Sequence, residues 1–111
     1  MPFRPRVVVI HPLVQPKFDI LEKQSEGGKQ PAQAIRKSLQ TAVARIKNDG
    51  QWGEVIPTDS IPRIYVSRYG IKNLYCVDLA HFYRLLYTIR ERDVVIVDLV
   101  DHAEYDRLMK D

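Results

Sequence analysis

The sequence predicts one α+β domain: an N-terminal strand and a helical hairpin packed on a twisted antiparallel sheet, closed by a short C-terminal helical turn. Three observations predict it. The first is the order of patterns along the chain: a short β-branched run, then helical spacing, then a block of strand-type residues. The second is the block Leu74 to Leu108, where runs of Val, Ile, Leu, Tyr and Phe are separated by gaps too short for a crossover. The third is size: 111 residues with 45% hydrophobic content suffice for one modest core, so 1–111 reads as a single domain.

Val7 to Ile10 reads as a buried strand, closed by Pro12 and Pro16. Lys17 to Gln24 reads as a short helix with Phe18 and Leu21 facing inward, and Ser25 to Gln30 as a loop. Pro31 to Asn48 is the clearest helix. Pro31 suits its first position, Ile35, Leu39, Ala42, Val43 and Ile46 recur at helical spacing, and Gly50 supplies a stop. Trp52 to Pro62 reads as a loop with at most a turn of helix, Arg63 to Val66 as a short strand, and Arg68 to Lys72 as a turn. Leu74 to Leu79, Phe82 to Ile89 and Val94 to Val100 then form an antiparallel meander. Asp101 and Glu104 have the spacing of a capping box, so Ala103 to Met109 is the terminal helical turn. With the helical pair on one face, the opposite face of the sheet is expected to be at least partly open.

Composition narrows the chemistry. No apolar run is long enough to cross a bilayer, and Met1 to Arg6 followed only by Val7 to Ile10 does not read as a signal peptide. The single cysteine, Cys76, can form no intramolecular disulfide and suits a reducing cytosol, so a cytoplasmic location is expected. There is no Cys/His spacing for zinc, no Gly-rich phosphate loop and no serine triad, so no metal or cofactor is expected. Seventeen Lys and Arg against fourteen Asp and Glu give a net charge of +3, which permits a polyanionic partner without requiring one.

Arg84 is the first candidate for function. An arginine inside a strand needs an anionic ligand or a carboxylate such as Asp78 or Asp98, and hairpin register decides which. Of His11, His81 and His102, only His102 stands at a strand-to-helix junction. It can titrate near neutrality, or simply satisfy the helix cap. Tyr105 can exchange a proton, stack on a base or pack on the sheet. Arg68 and Lys72 flank Gly70 in the turn before the meander, and Arg36 and Arg45 lie on the long helix. They bind RNA if grouped beside the sheet and are solvated surface otherwise. Tyr65, Tyr69, Tyr75, Tyr83 and Tyr87 are packing residues, and Cys76 is a small buried hydrophobe.

The element order, with Tyr83-Arg84-Leu85 and Leu86-Tyr87 on one strand ahead of Val94 to Val100 and Asp101-His102-Ala103-Glu104-Tyr105, resembles the RelE/ParE superfamily of small bacterial and archaeal toxins over most of the chain. The resemblance implies a toxin of a toxin–antitoxin system. Many members are metal-independent endonucleases that cut messenger RNA on the ribosome. Others poison DNA gyrase without nuclease chemistry, and the usual partner is an antitoxin protein.

In the nuclease case Arg84 contacts the scissile phosphate, His102 is general acid or base, Tyr105 assists, and Arg68, Lys72, Arg36 and Arg45 hold the RNA backbone. Such cleavage needs a base for the 2′-hydroxyl, an acid for the 5′-oxygen and cations on the phosphorus. The implied partners are an antitoxin, the ribosome and messenger RNA, with the free protein a monomer or homodimer. Cys76 and Asp78 stand where classical RelE toxins carry lysines. That departure keeps a second reading open: a non-catalytic relative, gyrase-directed or protein-binding. A third is a small structural or ribosome-associated domain.

Overall fold

The structure is a computed structural model that describes residues 3–110; Met1, Pro2 and Asp111 of the predicted 1–111 domain lie outside the described residues. It is an α+β fold. Strand β1 (Val7–Ile10) leads into helices α1 (Gln15–Glu26) and α2 (Ala32–Asn48) and the two-residue strand β2 (Glu54–Val55). Helix α3 (Arg63–Tyr69), strands β3 (Tyr75–Asp78), β4 (Arg84–Arg90) and β5 (Asp93–Val100), and helix α4 (His102–Met109) complete it. The five strands form one sheet in the order β1-β5-β4-β3-β2.

The expected meander is present: β3 to β4 and β4 to β5 pair antiparallel. The sheet as a whole is mixed rather than antiparallel, because β1 pairs parallel with β5, Val7 opposite Asp93. Most of the chain separates those two strands, so no hairpin dictates their relative direction.

One face carries α1 and α2. Phe18, Leu21, Ile35, Ala42 and Ile46 are buried against Val77, Leu85, Tyr87 and Ile96, with Leu39 and Val43 packed beside them. This is the stripe that the spacing predicts. Each Leu, Ile, Val or Phe side chain among them that is fully removed from water stabilises the fold by about 1.5–3 kcal/mol.

The opposite face is not open. Helices α3 and α4 cover it, burying Tyr65, Tyr69, Leu74, Cys76, Leu86, Val97 and Val100 together. The predicted strand at Arg63 to Val66 is therefore the first turn of a helix. Its Ile, Tyr and Val favour strand in isolation, but Tyr65 and Tyr69 are one helical turn apart, and burying both requires a helix. Pro62 sits extended just before it, and Gly70, at φ 63°, ends it in the left-handed region that glycine occupies freely.

Two smaller departures shape the site. The strand expected from Phe82 begins at Arg84, because Ala80–Phe82 form a tight turn in which His81 (φ 57°) and Phe82 (φ 61°) are both left-handed. Strand β2, inside the expected loop, is anchored by Tyr87. The buried phenol donates to the Gly50 carbonyl (2.7 Å) and accepts from the Gly53 amide (3.0 Å). Burial pushes that phenol up to about 12. A Cβ on Gly53 would lie 2.9 Å from the Tyr87 oxygen, so only glycine fits there. No helix of the described residues is long and apolar enough to cross a membrane.

Candidate functional site

Hairpin register settles the partner of Arg84. Asp78 stands directly opposite it across the β3–β4 pair, and Val100 stands opposite on the other side. The Arg84 Nη1 donates to Asp78 Oδ1 at 2.7 Å. The Arg84 side chain is 25% exposed and that of Asp78 is 79% exposed, so the carboxylate caps the guanidinium from the solvent side. Helix α4 covers it from above: the guanidinium carbon lies 4.4 Å from the centre of the Tyr105 ring. The remaining feature is a deficit, since Arg84 Nε is buried and has no hydrogen-bond partner.

The start of α4 carries the Asp101 half of the expected capping box. Asp101 Oδ1 accepts from the Glu104 amide at 2.8 Å. The Glu104 side chain does not return to the cap; it reaches Lys17 at 3.4 Å. His102, the first residue of the helix, is exposed. Its Nε2 lies 3.1 Å from Asp106 Oδ2 and its ring 6.1 Å from that of Phe82. Arg84, Tyr105 and His102 are thus gathered at one end of the sheet, where β3 ends, β4 begins and β5 turns into α4.

Their electrostatics follow from packing. Burial acts to lower the Arg84 pKa, but the charge of Asp78, with Cys76 and Tyr105, more than offsets it, so the guanidinium stays cationic. Desolvation raises the Tyr105 phenol and the Cys76 thiol. A buried, neutral thiol is a poor nucleophile, and a raised phenol is a poor base near neutral pH. Among the described residues no cluster of His, Cys, Asp and Glu could hold a metal ion.

The four other basic candidates do not join this site. Arg36 and Arg45 belong to α2, on the opposite face of the sheet. Arg36 Nε bonds Glu22 at 2.7 Å, tying the helical hairpin together, and Arg45 stacks over Trp52 at 5.4 Å. Lys72 flanks a cavity with Thr88, Ile89 and Arg90, at the far end of β4. Arg90 lies six residue steps along the strand from Arg84, about 20 Å. Arg68 lies on α3 and lines a separate cleft with Lys17 and Asp98.

That cleft contains the cluster that sequence reasoning did not assemble. Asp98 is 8% exposed. It accepts from Lys17 Nζ (2.7 Å), the Tyr65 hydroxyl (2.6 Å) and the Leu99 amide (2.9 Å). Lys17 also donates to the Leu99 carbonyl at 3.1 Å. Burial acts to lower the Lys17 pKa, and the hydrogen bond and charge of Asp98 outweigh it; burial raises the Tyr65 phenol. A lone aspartate in the apolar run Val94 to Val100 was the available signal, since a buried carboxylate demands donors. No family model, curated protein or solved structure matches the chain, so the α+β class and the geometry of this sheet end stand on their own.

Proposed function

We propose that this chain is a RelE/ParE-like domain that acts by binding protein at the Arg84 end of its sheet, the non-catalytic form of the resemblance. The observation that carries this reading is the Arg84–Asp78 pair, 2.7 Å apart. An anion approaching this guanidinium meets a carboxylate already on it, and like charge opposes a phosphate there. The scattering of Arg36, Arg45, Arg68 and Lys72 over both faces and both ends of the sheet supports it further. Counterion release, the main source of RNA affinity, requires cations on one surface. On this reading the partner is a cellular target protein or an antitoxin-like protein.

One observation favours metal-free cleavage of ribosome-bound messenger RNA as a second reading: Arg84 Nε is buried without a partner, next to Tyr105 and in the same corner as His102. A phosphate that displaced the exposed Asp78 carboxylate would take the Arg84 Nη1 that Asp78 holds and the free Nε.

Induced expression separates the two, with wild type and Arg84→Ala side by side, growth recorded and messenger RNA mapped by primer extension. The binding reading predicts no new cleavage sites in either strain, whatever the effect on growth. Discrete cuts in ribosome-bound messages with wild type, abolished by Arg84→Ala, would overturn it in favour of the nuclease.

A further inference from the structure

We propose that the Phe82 corner is a docking surface for a cationic, amphipathic segment of a partner protein. The proposal rests on the protein-binding reading above and names its ligand class. Phe82 is 78% exposed, the highest value among the exposed large hydrophobic residues described. It is also held at φ 61°, next to His81 at φ 57°. Residues with a large side chain seldom occupy this region, and glycine occupies it freely. The fold therefore gains little from phenylalanine here: beyond its tilted contact with the His102 ring it buries little surface, and the backbone would be easier with glycine.

The surroundings specify what the ring would meet. Past Tyr83 a cleft of about 270 Å³ opens, floored by Leu21, Tyr83 and Leu99, with Asp101 and Glu104 on its rim. Ile20, in its wall, is 57% exposed. Asp106, on α4 beside His102, adds a further carboxylate. Two nearby cations are already held: Arg84 by Asp78, and Lys17, which also lines the cleft, by Asp98 and Glu104. A chain of net charge +3 thus presents an acidic, apolar corner. An occupant must bring apolar side chains to Phe82 and Ile20 and a cation to Asp101. A nucleic acid brings the wrong charge.

The test is fluorescence anisotropy of the full chain with three labelled probes: a synthetic amphipathic Leu/Lys helix, its Leu/Glu counterpart and oligouridylate. The Leu/Lys peptide should bind, and the Leu/Glu peptide should not. Phe82→Gly should weaken binding about tenfold or more, as removal of a central aromatic anchor does, without lowering the melting temperature. Asp101→Asn keeps a capping oxygen but loses the charge, and should weaken binding most at low salt. Absence of Leu/Lys binding overturns the proposal. Binding indifferent to Phe82→Gly but lost in Arg84→Ala overturns it while leaving the protein-binding reading intact. Oligouridylate binding in place of the peptide overturns both.

Discussion

The molecule holds two sets of the same three groups, a cation, an aspartate and a tyrosine, in opposite condition. In the Lys17–Asp98–Tyr65 set every polar group is used. Asp98 is 8% exposed and accepts three hydrogen bonds, and Tyr65 is 1% exposed. In the Arg84–Asp78–Tyr105 set the aspartate is exposed, the tyrosine offers its ring rather than its hydroxyl, and the guanidinium keeps a buried donor with no partner. Satisfied buried groups fix a structure, because any rearrangement strands one of them. An unsatisfied donor beneath an exposed carboxylate is where a ligand can add something the fold lacks. The residue types alone do not separate the two cases; depth and saturation do.

The comparison is broken most directly by removing each aspartate. Asp98→Ala strands the buried Tyr65 hydroxyl and takes the nearest carboxylate from Lys17, which keeps only the Leu99 carbonyl and Glu104, at a cost of about 3 kcal/mol. For a domain of this size that lowers the melting temperature by roughly 10–15 °C. Urea denaturation at neutral pH measures it, and the denaturant slope should hold. A loss below about 1 kcal/mol would mean that the network relaxes and is not structural. Asp78→Asn should cost less than about 1 kcal/mol, as exposed pairs do. The Arg84 stack on Tyr105 survives it and contributes about 0.5–1 kcal/mol on its own. A loss near that of Asp98→Ala would show that the sheet end is as structural as the cleft.

How far each region was legible follows from which interactions define it. The helical stripe of α2 and the Asp101 cap are local, and both were readable from spacing. The identity of α3 was not, because Ile64, Tyr65 and Val66 have strand propensities, and the helical period rests on two tyrosines whose burial is a tertiary event. The parallel pairing of β1 and the two residues of β2 depend on contacts far apart in the chain.

At the site, the need of Arg84 for an anion was legible. The choice between Asp78 and Asp98 was not, since it turns on register. The Phe82 corner was hidden for a different reason: phenylalanine carries none of the Gly or Asn signal that marks a left-handed turn, so the residue read as the start of a strand.

The smallest effect is expected at the opposite end of β5. Arg6 donates to both oxygens of Asp93, at 3.0 and 2.8 Å, beside the first parallel pair of β1 and β5. The Arg6 hydrogen bond holds the Asp93 carboxyl below its ordinary value. A group whose pKa is lower folded than unfolded stabilises the fold above the unfolded value, near 3.8, and that contribution disappears as pH falls through the folded value. At pH 7 Asp93→Asn should therefore melt slightly below wild type. The difference should narrow below pH 4 and vanish in stronger acid, and salt should shrink it because the pair is exposed. Unlike Asp98, Asp93 binds a partner that reverts to water when freed. A pH-independent deficit in Asp93→Asn would place this pair with the buried network.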